Sequence, residues 1–224
     1  RARGQSGKRG ETETAAREPP STTSNETART SRPDLSTTSC RVDRPYLAAI
    51  APCDDIINRD PNAAEAYFVS GWARNQGREY GRAITDLSRA IELDPREWRA
   101  YAQRGYALHS VRAFDRAIED YNTAIGMRPR DSSLYNNRGL SRMLNKDYAA
   151  ARADYDKAIE INPQYALALF NRARLYQADG EQTKRAIEDV TRAIEINPRF
   201  VPALSLRADL YATLGDHHAA ILDL

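Results

Sequence analysis

Prolines divide this chain at a fixed interval. Pro61, Pro95, Pro129 and Pro163 stand 34 residues apart, and Pro198 follows after 35. The residues around them are near copies: RAIELDPREWRAYAQRG from Arg89, KAIEINPQYALALFNRA from Lys157 and RAIEINPRFVPALSLRA from Arg192. A period of this length means stacked copies of one small unit, not a single irregular core.

The unit is two helices. Ahead of Pro95, residues Ala83, Ile84, Leu87, Ala90 and Ile91 recur three or four apart, the spacing of one helical face. Proline lacks the amide hydrogen a helix needs and biases its predecessor away from helical geometry, so each proline ends a helix. A second amphipathic run follows, carrying Tyr101, Tyr106 and Leu108, and ends in a short break. Small residues recur where two helices must approach closely. Gly71, Gly105 and Gly139 hold one place in the first helix, with Ala173 and Ala208 there in later units. Ala83, Ala117, Ala151, Ala186 and Ala220 hold a place in the second helix, with Ala90, Ala124, Ala158 and Ala193 one heptad on. One hairpin cannot bury both faces, so units must stack into a solenoid.

The order of an aromatic, Gly, Ala, an aromatic, Ala and Pro is carried here by Tyr101, Gly105, Ala117, Tyr121, Ala124 and Pro129. It resembles the tetratricopeptide repeat family. The resemblance covers residues 64–224, with units at 64–97, 98–131, 132–165 and 166–200 and a truncated unit at 201–224. It implies an all-α fold, a right-handed superhelical solenoid of antiparallel helix pairs whose concave groove holds a peptide or protein segment. Residues 43–63 read as a half-repeat, a lone second helix. Residues 1–42 read as a disordered tail rich in Ser, Thr and Arg, because too few apolar residues are present to offset ordering entropy.

One departure from plain hydrophobic patterning recurs. Arg104, Arg138, Arg172 and Arg207 precede the small residue of the first helix, and Asp86, Asp120, Asp154, Asp189 and Asp223 recur in the second. Each Asp can pair within its repeat or across the seam with the next repeat's Arg. The first repeat has Ser70 in place of Arg, and the half-repeat before it has Pro52 in place of Asp. That coincidence favours pairing across the seam: Asp86–Arg104, Asp120–Arg138, Asp154–Arg172 and Asp189–Arg207. The alternative function for these arginines is to line the groove and hold an acidic ligand.

Cys40 and Cys53 flank an AIA segment, as in some exported bacterial repeat proteins that this stretch resembles. The resemblance implies a disulfide pinning the preceding segment onto the lone helix, and an extracytoplasmic compartment. The alternative is two free thiols in a reducing cytosol. At the other end Ile221, Leu222 and Leu224 begin a second helix with no polar cap after it. Either the native chain continues, with a functional domain beyond residue 224, or this end associates with another molecule, end to end with a second copy.

The chain carries little that suggests chemistry. It has no phosphate loop, nucleophile elbow or H-E-x-x-H pair. His217 and His218 are adjacent and would point apart on a helix, so they make a poor metal chelate. The acidic residues sit at repeating positions, which marks scaffold. No cofactor, metal or catalytic role is expected. The formal charge of +2 resides in residues 1–39, and the rest is formally neutral, so nucleic acid is not an expected partner. No apolar run is long enough to span a bilayer. By the family's geometry the groove takes Phe68, Trp72, Arg99, Tyr106, His109, Asn136, Leu140, Met143, Phe170 and Arg174. Aromatic residues beside arginine suit a binding hot spot. The family's carboxylate clamp is not reproduced, because Phe68 and Trp72 stand at its first two places, and this disfavours chaperone tails as partners.

Overall fold

The computed structural model describes residues 40–43, 45–179 and 182–223; the tail read over 1–42 lies outside the described residues up to residue 39. Among the described residues the regular structure is entirely helical: α1 (Tyr46–Arg59), α2 (Ala64–Gln76), α3 (Tyr80–Leu93), α4 (Trp98–Ser110), α5 (Phe114–Met127), α6 (Ser132–Leu144), α7 (Tyr148–Ile161), α8 (Ala166–Asp179), α9 (Thr183–Ile196), α10 (Val201–Thr213) and α11 (His217–Ile221). From α2 onward they alternate as first and second helices of successive repeats. The prolines fall two residues after α1, α3, α5, α7 and α9.

A local device carries the chain past four of the five prolines. The side chain just before each proline accepts a hydrogen bond from the amide just after it: Asp60 from Asn62, Asp94 from Arg96, Asn162 from Gln164 and Asn197 from Arg199, at 3.0–3.2 Å. Such turns suit Asp and Asn, whose short side chains imitate a backbone turn. Within the first three repeats and the last, the turn closes differently, by a long backbone bond such as Glu79 N–H to Arg74 C=O or Ala113 N–H to Leu108 C=O (2.8 and 2.9 Å). This closure places one residue in the left-handed region. It is Gly215 in the last turn (φ 80°), but Arg78 (59°), Arg112 (65°) and Lys146 (65°) in the first three. Each of those side chains costs about 1 kcal/mol there.

The small residues do what their recurrence suggests. A Cβ on Gly71 would meet Leu87 Cγ at 2.5 Å, one on Gly105 would meet Tyr121 at 3.1 Å, and one on Gly139 would meet Tyr155 at 2.8 Å. Leu87, Tyr121 and Tyr155 are fully buried, as are Ala83, Ala117, Ala151 and Ala186. Burial pushes the phenols of Tyr121 and Tyr155 well above their usual range.

The charge ladder runs within repeats, not across seams. Arg104 binds Asp120 through two bonds of 2.8 Å, and Arg172 binds Asp189 through two of 2.7 Å. Arg138 pairs with Asp154 (2.6 Å) and Arg207 with Asp223 (2.5 Å). This corrects the cross-seam pairing expected from the sequence. The guanidinium is long enough to serve both sides: its remaining nitrogen crosses the seam to Ser88, Asn122, Asp156 or Thr191 on the previous second helix. Asp86 is not left alone either. Arg74, one turn beyond Ser70, binds Asp86 and also reaches Asp54 on α1 at 3.1 Å. Arg74 thus takes over both duties of the missing arginine. The carboxylates are buried or nearly so, and removing one partner of such a pair typically costs about 3–5 kcal/mol.

Helix α1 runs through Pro52 and packs on α2 as a second helix would. Cys40 and Cys53 form a disulfide, and both are buried. The bend of the solenoid follows from which helices touch. Each first helix meets the next first helix (α2 with α4, α4 with α6, α6 with α8, α8 with α10), whereas among the described residues no second helix meets the next second helix. A stack that touches along one layer and parts along the other curves toward the touching layer. The first helices therefore line the inner face.

Candidate functional site

Polar bonds hold the inner layer together. Asn75 on α2 donates to the Gln103 carbonyl on α4 (2.9 Å). His109 Nδ1 on α4 lies 3.0 Å from Ser141 Oγ on α6. Asn171 on α8 donates to Asn136 Oδ1 on α6 (2.9 Å). Burial lowers the pKa of the His109 imidazole, which favours the neutral ring in this contact.

The ten residues assigned to the groove from sequence divide by burial. Phe68, Asn136 and Met143 are buried, so they back the inner face and do not line it. Asn136 is spent on the α6–α8 bond, and Met143 receives the Tyr155 hydroxyl at 3.9 Å. Phe68 lies beneath the Arg99 guanidinium, 4.6 Å from its ring centre. The other seven reach the surface wholly or in part. Arg99 bridges Glu97 (2.6 Å) and Glu65 (3.6 Å), and its bond to Glu97 raises its own pKa and lowers that of the carboxyl. Trp72 is half-buried against the first core cluster. Tyr106 is 43% exposed and meets Tyr80 edge to face at 6.2 Å. His109 packs at a tilt against Phe114, with ring centres 5.7 Å apart. Leu140 is half-buried, and Phe170 packs on Phe200 at 5.0 Å beneath the exposed Arg174.

Two apolar residues escaped the sequence reading. Leu144, 45% exposed, lies four residues after Leu140, and Leu167, 41% exposed, lies three before Phe170 and seven before Arg174. Those spacings put them on the same helical faces. Extending the repeat register would have found Leu167, which holds the place of Arg99 two repeats earlier. The candidate site is thus the set of partly exposed apolar side chains on α2, α4, α6 and α8, with Arg99 and Arg174 among them. Among the described residues no group of three or more His, Cys, Asp or Glu is placed to hold a metal ion. None of the described helices is long and apolar enough to cross a membrane.

Three tetratricopeptide repeat profiles match the chain, over residues 70–131, 132–165 and 154–188. The chain belongs to the tetratricopeptide repeat family, whose fold commonly mediates protein–protein interaction. No curated protein matches it in sequence. Solved structures share its fold. MamA from Desulfovibrio magneticus RS-1 aligns with a TM-score of 0.64 at 18% identity, over 69% of this chain and 87% of that one. PilF from Pseudomonas aeruginosa aligns with a TM-score of 0.68 at 19% identity, over 80% and 81%. YrrB, described as a TPR protein with an unusual peptide-binding site, aligns with a TM-score of 0.59 at 18% identity, over 76% and 88%.

Proposed function

We propose that the chain is a binding module whose inner face holds a peptide or a protein segment. The observation that carries this is the strip of partly exposed Trp72, Tyr106, Leu144, Leu167 and Phe170 along consecutive first helices. Exposed apolar side chains are common singly, but at least one on each of four consecutive first helices of a solenoid is what a partner covers. The peptide-binding site attributed to YrrB adds support by analogy of fold. Peptides selected against the full chain from a random library should lose at least about tenfold in affinity, roughly 1.4 kcal/mol, when Tyr106 or Phe170 becomes Ala. Circular dichroism should be unchanged. Binders indifferent to both substitutions would place recognition elsewhere.

A second reading has one observation in its favour. Ile221 and Leu222 are 70% and 75% exposed, which suits self-association through that end. Sedimentation velocity decides it: dimers that Leu222→Glu dissolves support this reading, and a monomer at high micromolar concentration removes it.

A further inference from the structure

A second surface lies along the edge where each first helix turns into its second helix. We propose that this edge docks an acidic, extended segment of a partner protein, separately from the inner face. The residues it gathers are scattered in sequence. Arg78, Arg112 and Lys146 occupy the left-handed position of three consecutive turns, although the same position accepts Gly in the turn at Gly215. Arg116 stands in the first turn of α5, Arg152 one turn into α7 and Lys184 at the start of α9, and all six are exposed. Helix dipoles do not explain the set. They favour cations at the ends of first helices and disfavour them at the starts of second helices, yet both places are basic.

The acids of this edge are already engaged. Glu79 pairs with Arg82 at 3.0 Å, Asp115 accepts from Asn145 at 2.8 Å and Asp147 caps the Ala150 amide at 3.2 Å. Among the described residues Arg78, Arg116, Lys146, Arg152 and Lys184 form no ion pair, and Arg112 lies 5.7 Å over the Phe114 ring. Asp115 and Asp147 keep their charge in these bonds, but the six cations outnumber them. The edge therefore carries net positive charge on a chain whose residues 40–224 are formally neutral. The Asn145–Asp115 bond joins the turns of the second and third repeats.

Two features select a polypeptide over a uniformly charged polymer. The left-handed cations Arg78, Arg112 and Lys146 recur once in each of three repeats, and neighbouring first helices lie about 8–10 Å apart, roughly three residues of an extended chain. Apolar side chains interrupt them: Val111 and Tyr148 are 48% and 44% exposed. The edge also holds a depression of about 360 Å³ lined by Tyr148, Arg152, Leu175 and Tyr176, large enough for an apolar side chain beside a carboxylate.

The test uses the full chain and a fluorescent peptide with Glu at every third position and Leu between. A same-length peptide with Gln for Glu, a single-stranded oligonucleotide and phosphatidylserine vesicles serve as competitors. The informative variant is Arg78→Gly with Arg112→Gly and Lys146→Gly, which removes charge and relieves the backbone, so it should melt no lower than the parent. The acidic peptide should bind more weakly as salt rises and lose at least about tenfold in the variant. Phe170→Ala, on the inner face and packed on Phe200, should not affect it. Equal binding by the variant, equal binding of the Gln peptide, or preferential binding of the oligonucleotide or vesicles would each overturn the proposal.

Discussion

At the level of single residues, the glycines and the rings they face set how close two helices of a repeat can come. Gly139 has Tyr155 at 2.8 Å from where its Cβ would stand, whereas Gly105 has Tyr121 at 3.1 Å. The fourth repeat holds the same register with Ala173 and the smaller Val190, both fully buried. Gly139→Ala should therefore cost about 1–3 kcal/mol by overpacking. Gly105→Ala should cost less, and Tyr155→Val should recover part of the loss in the Gly139→Ala background. Urea denaturation midpoints check the order; an additive double variant would mean the ring is not what excludes the methyl. This layer of the fold was legible in the sequence because close backbone approach can be achieved only with small residues, and they recur at the repeat period. The ion pairs were legible as a ladder but not as partners. Which carboxylate a guanidinium reaches depends on side-chain direction, and Arg74 replaces the missing arginine from one turn away. Groove assignment failed at Phe68, Asn136 and Met143 for a related reason. Position on a helical face does not say how deeply the neighbouring helix covers it.

Among the elements, α9, α10 and α11 differ from the earlier helices. The one-residue insertion ahead of α9 is absorbed locally: α8 has 14 residues where α2, α4, α6 and α10 have 13. The Arg172–Asp189 pair keeps the geometry of Arg104–Asp120 despite one extra residue between its partners. What the fourth and fifth repeats lack is the ring that opens earlier second helices. Tyr80 packs on Tyr106 and Phe114 on His109, but Tyr148 is 44% exposed, so its ring holds the third repeat less firmly. A fully buried ring contributes about 2–3 kcal/mol, and half-buried ones proportionately less. Nearest-neighbour stability keeps a weak joint local. Among the helical segments, amide exchange should be fastest from Gln182 to the end of α11, with α2 to α6 protected longest. Uniform protection would show that the turn aromatics contribute nothing to the ranking. The proline period made the helices themselves predictable, while the left-handed turns escaped notice because Arg and Lys stand where Gly would have signalled them.

Across the whole molecule, the disulfide and the curvature matter most. The Cys40–Cys53 disulfide ties the chain to α1, which no first helix precedes among the described residues. A loop of that length stabilises by about 3 kcal/mol in the chain-entropy picture. The curvature arises because first helices touch from repeat to repeat and second helices do not. That arrangement is a mechanical stop. The inner layer is already in contact, so the groove cannot narrow around a slender occupant. It can only open, at the expense of the Asn75–Gln103, His109–Ser141 and Asn136–Asn171 bonds. Occupants are thereby screened by a minimum thickness, whatever their chemistry. Energy transfer between labels at Gln76 on α2 and Thr213 on α10 reads this directly: filling the groove should leave their separation unchanged or lengthen it, and a shortening would show that the stop gives way.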